Sequence, residues 1–126
     1  MSSSQASIEA LYATGHWLLS AERFADAALV LRAMARAAPS DERAWLALGT
    51  CHEAVGQPDI AASLYHVAAA LAAPAIRCRL ALARSLRAAG REDEASEALE
   101  RARSLALDGD DDELCSLAER EIEATP

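Results

Sequence analysis

The sequence has no lysine and no asparagine, and it is poor in aromatic residues, glycine and proline. Aromatic residues make up 4% of the 126 residues, and there are five glycines and four prolines. Alanine supplies about a quarter of the chain, and it has the highest helix propensity and no rotamer entropy to lose. The composition therefore favours an all-α protein, and the length suits one compact domain.

The chain also lacks the features of membrane-spanning and secreted proteins. No run of about 18 apolar residues is present, so no segment is expected to span a membrane. Residues 1–7 are polar and lack the basic and apolar regions of a secretory signal. Cys51, Cys78 and Cys115 are odd in number and widely spaced, which argues against a disulfide framework. We therefore expect a cytoplasmic protein with reduced cysteines.

Signs of catalysis, metal binding and nucleic-acid binding are missing as well. The formal net charge is −8, and a domain this acidic repels phosphate backbones, so nucleic acid is not an expected partner. His16, His52 and His66 do not have the spacing of metal ligands. No phosphate-binding loop or nucleophile motif occurs either. We expect no enzymatic activity, no metal and no cofactor.

What the sequence does contain is a repeat of 34 residues, marked by small side chains. Two rows of small residues show this period: Gly15, Gly49 and Ala83, and Ala27, Ala61 and Ala95. Such a period is typical of tetratricopeptide repeats, in which small residues let two helices cross closely. The repeats run from about 8–41, 42–75 and 76–109.

Each repeat predicts two helices joined by a short turn, because apolar residues recur at three- and four-residue spacing. The predicted helices are 8–20, 24–37, 42–54, 58–71, 76–89 and 92–106. Gly56 and Gly90 fall in turns, where a positive φ is often needed. A last amphipathic helix at about 113–123 is expected to cap the stack. The predicted fold is all-α, with three tetratricopeptide helix pairs and a C-terminal capping helix in a right-handed α-solenoid, as one domain over 1–126.

The first helix of each pair is expected to line a concave groove. Tyr12, Leu46 and Leu80 then form an apolar row, with small alanines beside it. A guest peptide could bury apolar side chains there, each worth about 1.5–3 kcal/mol before ordering costs. The predicted groove residues are Tyr12, His16, Leu19, Arg43, Leu46, Ala47, Thr50, Arg77, Leu80, Ala81, Arg84 and Arg87. The groove contains no lysine and no asparagine. Heat-shock co-chaperones with this repeat use these two residue types to form a carboxylate clamp.

Three features of this surface have two interpretations each. The apolar row could instead pack against the C-terminal helix folded into the groove. The three groove arginines of the third repeat could contact a carboxylate of the guest, or pair with Glu53 and the acidic stretch 108–113, which we favour. Trp17 lies off the core stripe of its helix, so it is either a self-association contact or covered by residues 1–7.

One stretch is more specific than the general repeat. It has the pattern Leu48-Gly49-x-Cys51-x-x-x-x-Gly56-Gln57-x-x-x-Ala61-x-x-x-Tyr65. This pattern closely resembles the second repeat of the class II chaperones of bacterial type III secretion. Three further places also look like that family: Leu11-Tyr12, Phe24 with Asp26-Ala27, and residues 86–95. The resemblance covers about residues 8–107.

The resemblance implies a cytoplasmic bacterial chaperone, linked to virulence, that binds hydrophobic translocator proteins and keeps them soluble. The concave groove would receive an N-terminal segment of the translocator at Tyr12, Leu46, Leu80 and their neighbours, without any cofactor. In that family a longer segment before the first repeat contributes to a homodimer, whereas only residues 1–7 precede it here. A monomer and a dimer through the first repeat are therefore both open. The alternative function is a general tetratricopeptide adaptor that joins partners in a complex.

Overall fold

The computed structural model describes residues 3–124, which form seven α-helices and no β-strand. The helices are α1 (Ser3–Ser20), α2 (Phe24–Ala37), α3 (Glu42–Ala54), α4 (Pro58–Leu71), α5 (Ile76–Ala88), α6 (Glu92–Asp108) and α7 (Asp112–Glu123). The all-α architecture of three helix pairs and a C-terminal helix is confirmed. None of the helices within these residues combines the length and apolar character needed to cross a bilayer.

One helix boundary differs clearly from the prediction. Helix α1 begins at Ser3 rather than at residue 8. The added turn is polar, so it carries no apolar period, yet its side chains find partners one turn away. Ser7 Oγ donates to the carbonyl of Ser3 at 3.0 Å, and Gln5 donates to the Glu9 carboxylate at 3.0 Å. The Gln5–Glu9 contact is an i,i+4 side-chain pair of the kind that stabilises a helix.

The turns within the three pairs share one backbone conformation. Gly56 and Gly90 have φ values of +76° and +78°, as predicted, and Glu22 has +60° at the corresponding place in the first pair. Pro58 lies in the first turn of α4, where its missing N–H has no intrahelical partner to lose. The side chain of Asp41 caps α3 by accepting from the N–H of Arg43.

The first helices of the pairs pack into one layer of a curved stack. Helix α1 contacts α3, α3 contacts α5, and α5 contacts α7. Within residues 3–124, no Cα of α4 lies within 8 Å of α2 or of α6. Helices that pack on one side and separate on the other produce curvature. Helices α1, α3, α5 and α7 therefore lie on the concave side.

The recurring small residues allow the two helices of a pair to cross closely. Gly49 lies against the ring of Tyr65, and a Cβ atom at Gly49 would overlap that ring. Gly15 lies against Leu31 in the same way, because a Cβ atom at Gly15 would lie only 2.6 Å from the nearest side-chain carbon of Leu31. Leu31 and Tyr65 are fully buried. In the first two pairs, the repeat period thus follows from the packing of one large side chain on one small residue.

The core consists of clusters between successive helix pairs. Trp45 is partly buried and packs against two of these clusters, one formed by residues of α1, α2 and α3 and the other by residues of α4, α5 and α6. Its indole N–H donates to the carbonyl of Pro39 at 2.8 Å. The Trp45 side chain therefore joins the first two repeats.

Candidate peptide-binding groove

The predicted apolar row lies on helices of the concave side, because α1, α3 and α5 carry Tyr12, Leu46 and Leu80. All three side chains are half-buried, so each packs on the core with one part and exposes another. Ala47 and Ala81 are buried beside them, at 8% and 2% exposure. Leu19, also half-buried, packs against the cluster of the first repeat. His16 is exposed one turn before it.

A hollow of about 230 Å³ opens between α3, α5 and α7. We call it the groove hollow. Four of its lining residues are apolar: Leu46, Leu80, Ala81 and Leu117. Among the residues that the structure describes, the charged side chains that line it are Arg77, Arg84 and Glu121. The groove hollow therefore has an apolar wall with charged groups around it, which suits an apolar side chain flanked by polar groups.

Helix α7 contributes to this hollow, which the sequence analysis did not predict. Leu117 and Leu80 both pack against a cluster that contains Ile76 and Leu114. The interpretation in which the apolar row packs against the C-terminal helix therefore applies to Leu80. It does not apply to the whole row, because a hollow remains between Leu46 and Leu117. In the sequence, the helical spacing of the apolar residues Leu114, Leu117 and Ala118 could have indicated that this face of α7 is directed inward.

The arginines of the third repeat have acidic partners within the chain. Arg84 lies 3.0 Å from Glu53, and Arg77 lies 3.7 Å from Glu113, which agrees with the favoured interpretation. Arg87 lies near Glu92 and Glu121 instead. Arg77 and Arg84 side chains are 50% and 60% exposed. Exposed ion pairs contribute about 0–1 kcal/mol, so a carboxylate of a guest could replace either partner.

A second polar group lies deeper, at the junction of the second and third repeats. Ser85, which is 1% exposed, donates its hydroxyl to the Glu53 carboxylate at 2.5 Å. On α3, which also carries Glu53, the Thr50 hydroxyl donates to the carbonyl of Leu46 at 2.9 Å. Thr50 thus has its donor satisfied within α3, and Glu53 links α3 to α5.

Arg43 is held by a cluster of side chains at the first-repeat end of the groove. Its guanidinium lies 2.7 Å from Glu9 and 2.8 Å from Asp41, and 4.5 Å from the centre of the Tyr12 ring. Hydrogen bonds to Asp41 and Glu9 raise the pKa of Arg43, and the hydrogen bond from Arg43 lowers the pKa of each carboxyl group. The His16 ring lies 5.9 Å from the Tyr12 ring. The Arg43 guanidinium therefore holds the Tyr12 ring in place. Its N–H groups donate to Glu9 and Asp41 within the chain rather than to a guest.

Trp17 lies at the open end of the stack and is 63% exposed. Counted along the repeat, its equivalents are Cys51 and Ser85, which are 2% and 1% exposed. Residues 3–7 continue α1 rather than fold over Trp17. The interpretation in which they cover Trp17 is therefore wrong for the residues that the structure describes.

No protein-family profile and no curated protein sequence matches the chain. Solved structures do match. The type III secretion translocator chaperone SycD of Yersinia enterocolitica is 28% identical, with a TM-score of 0.84 over 94% of this chain and 89% of SycD. PcrH from Pseudomonas aeruginosa is 26% identical, with a TM-score of 0.84 over 98% of this chain and 93% of PcrH.

A third solved structure contains a partner. PcrH in complex with the chaperone binding region of PopB matches with a TM-score of 0.81 and 26% identity, over 95% of this chain and 96% of that chain. The predicted family resemblance is confirmed. The chain is similar to the translocator chaperones of type III secretion over almost its whole length. These neighbours are chaperones and not enzymes.

Proposed function

We propose that this protein is a cytoplasmic chaperone of type III secretion that binds hydrophobic translocator proteins, and that it is not an enzyme. The similarity to SycD and PcrH supports the chaperone class, and the PcrH complex supports a translocator segment as the guest. The single observation that carries the proposal is the half-buried apolar row that leads into the groove hollow. The general adaptor is less favoured, because the solved neighbours are translocator chaperones.

The chemistry of the groove suits holding rather than conversion. Apolar side chains of a guest gain about 25 cal/mol for each Å² of apolar surface that they bury. Part of this gain is offset by the ordering of the guest chain. Binding at equilibrium then hides the apolar surface of the guest and keeps it from aggregating, with no need for ATP or another cofactor.

Two further proposals concern the organisation of the chain. Residues 1–126 form a single tetratricopeptide domain, and its open end at Trp17 is the place where a second copy binds. The exposure of Trp17, against the burial of both of its equivalents, supports this end as the contact. The guest occupies the groove of each copy.

The function is tested by co-expression with the translocator proteins of the same secretion system. We expect the wild-type chain to co-purify with a translocator, and Leu46→Glu to lose it, because a carboxylate in the groove hollow opposes apolar burial. The matched control is Ile60→Glu on α4, since Ile60 is 44% exposed and lies outside the predicted groove. Circular dichroism confirms that each variant is folded.

Tyr12→Asp serves as a second variant at the other end of the row. Retention of the translocator by folded Leu46→Glu and Tyr12→Asp proteins would show that the groove is not the binding site. Loss with Ile60→Glu alone would place the guest on the outer helices instead.

A further inference from the structure

The outer surface of α4 exposes a stripe of apolar side chains. Ile60, Val67 and Leu71 are 44%, 37% and 51% exposed. Their spacing of seven and then four residues places them on one face of the helix. Leu64 lies between Ile60 and Val67 on that face and is half-buried. Helix α4 therefore presents an apolar face on the side of the stack that is turned away from the groove.

The third repeat shows that the fold does not require apolar residues at these positions. One period of 34 residues after Ile60 and Val67 come Glu94 and Arg101 of α6, and both are exposed. The outer helix of a pair is thus stable with charged side chains at the two positions. Apolar side chains that are exposed without a packing requirement indicate an interaction surface.

A hollow of about 400 Å³ lies between α2 and the segment that joins α3 to α4. We call it the outer hollow. Leu29 and Val55, which line it, are 66% and 53% exposed. Leu64 of α4 packs against the cluster that contains Ala28 and Cys51, and both of these residues line the outer hollow. The apolar stripe of α4 and the outer hollow therefore belong to one surface, which we call the outer face.

The charged groups of α2 beside the outer hollow are basic. Arg32 lines the hollow, and Arg36 follows it on α2 after one turn. Arg32 donates to the His52 ring at 3.2 Å, which leaves its other N–H groups available to a binding partner. The ion pairs within residues 3–124 involve other arginines than these two. Arg32 and Arg36 therefore carry positive charge that no carboxylate in this part of the chain neutralises.

The carboxylates of the two outer helices do not change this balance. Helices α2 and α4 contain one acidic residue each, Asp26 and Asp59. Asp26 lies 2.7 Å from Arg23, and Asp59 lies 3.7 Å from Arg91. In a chain with a net charge of −8, the outer face is thus apolar with a basic edge. An acidic partner complements this charge.

We propose that the outer face binds an acidic amphipathic helix of a partner protein other than the guest in the groove. The apolar side of that helix packs along Ile60, Val67 and Leu71 and places one side chain in the outer hollow, as in other helix-in-groove contacts. Carboxylates beside its apolar side accept hydrogen bonds from Arg32 and Arg36. The outer face and the groove lie on opposite sides of the stack, so both can be occupied at once.

The probe for this binding is a stapled helical peptide as long as α4, 14 residues, with leucines at helical spacing and glutamates beside them. A second peptide has lysine in place of each glutamate. In fluorescence anisotropy, the wild-type chain should bind the glutamate peptide about tenfold more tightly than the lysine peptide. The preference should decrease as salt is added, because salt screens exposed charges.

Two combined variants test the two parts of the outer face. Ile60→Glu with Val67→Arg introduces the residue types of the third repeat, and it should weaken binding of the glutamate peptide at least about tenfold. Arg32→Gln with Arg36→Gln should remove most of the preference for the glutamate peptide. The control is Leu107→Glu on α6, since Leu107 is 50% exposed and lies outside the outer face. Circular dichroism confirms that each variant is folded.

Several results would overturn the inference. The wild type could fail to bind the glutamate peptide, or bind it no better than the variant with Ile60→Glu and Val67→Arg does. Loss of the peptide in Leu46→Glu would place it in the groove. A change of oligomeric state in the Ile60→Glu and Val67→Arg variant, measured by light scattering, would assign the outer face to a second copy.

Co-expression with the translocator separates this inference from the proposed function. We expect the Ile60→Glu and Val67→Arg variant to keep the translocator while it loses the glutamate peptide. Loss of the translocator in this variant would assign the outer face to the guest and overturn the inference. Retention of the translocator by folded Leu46→Glu and Tyr12→Asp would contradict the proposed function and leave the binding of an acidic helix to the outer face intact.

Discussion

At the scale of single residues, the groove combines side chains that bind with side chains that hold their neighbours in place. Leu46 and Leu80 expose apolar surface to the groove hollow, whereas Arg43 is occupied by Glu9, Asp41 and the Tyr12 ring. Glu9 and Arg43 lie at the same position of successive repeats, 34 residues apart. That spacing is visible in the sequence and could have indicated the pair.

The Arg43 cluster leads to a prediction on pH. Because Arg43 lowers the pKa of Glu9 and Asp41 in the folded protein from ordinary values of 4.5 and 3.8, both carboxylates stabilise the fold above those values. The stabilisation is lost as the pH falls through the lowered pKa values. The wild type should therefore exceed Arg43→Gln in urea midpoint at pH 7, and the difference should shrink below about pH 4.

Urea denaturation from pH 7 to pH 2.5 measures this difference. Arg36→Gln provides the control, since Arg36 is an exposed arginine of α2, and its effect should not depend on pH in this range. A difference between wild type and Arg43→Gln that stays constant over the whole series would contradict the cluster.

At the scale of helices, the sequence predicted most of the fold because the apolar and small residues follow one period. The boundaries of α2, α3 and α4 agree with the prediction. The extra turn of α1 could not be found in this way, since its serines and glutamine have no apolar period. Leu117 was missed because α7 begins 36 residues after α5 rather than 34, which changes the face that the period assigns to it.

The close crossing of α3 and α4 makes the protein sensitive to substitution of Gly49. Gly49→Ala places a Cβ atom in the space of the Tyr65 ring. We expect a loss of about 1–3 kcal/mol in the free energy of unfolding from this overpacking, although alanine has the better helix propensity. Chemical denaturation measures the loss.

A second substitution separates overpacking from a general effect on α3. In Gly49→Ala combined with Tyr65→Leu, the smaller partner leaves room for the Cβ atom, so the added effect of Gly49→Ala should become small. If Gly49→Ala alone stabilises the protein, α3 and α4 leave room for the added Cβ atom and their crossing is not tight.

At the scale of the whole molecule, the stack has two different ends. Helix α7 closes one end with Leu114 and Ala118 packed inward. The other end exposes Trp17 at a position that is buried in both following repeats. Burial of a side chain of this size lowers the free energy by several times RT. An exposed tryptophan at the end of a repeat stack therefore favours association with a second copy.

Substitution of Trp17 tests the proposed contact between copies. We expect the wild-type chain to be dimeric in light scattering at micromolar concentration, and Trp17→Ser to be monomeric with unchanged helicity. The control is Leu29→Ser, because Leu29 is 66% exposed and lies on α2, the outer helix of the first pair. A Trp17→Ser protein that dimerises as the wild type does would show that this end is not the contact.

Binding of the guest on the concave side can be observed residue by residue by methyl NMR of the leucine-labelled chain. On titration with the translocator segment that co-purifies, we expect the methyl signals of Leu46 and Leu80 to shift. The signals of Leu29, which lines an outer hollow of about 400 Å³, and of Leu71, which is 51% exposed on α4, should stay in place. Shifts at Leu29 and Leu71 with none at Leu46 and Leu80 would contradict the claim.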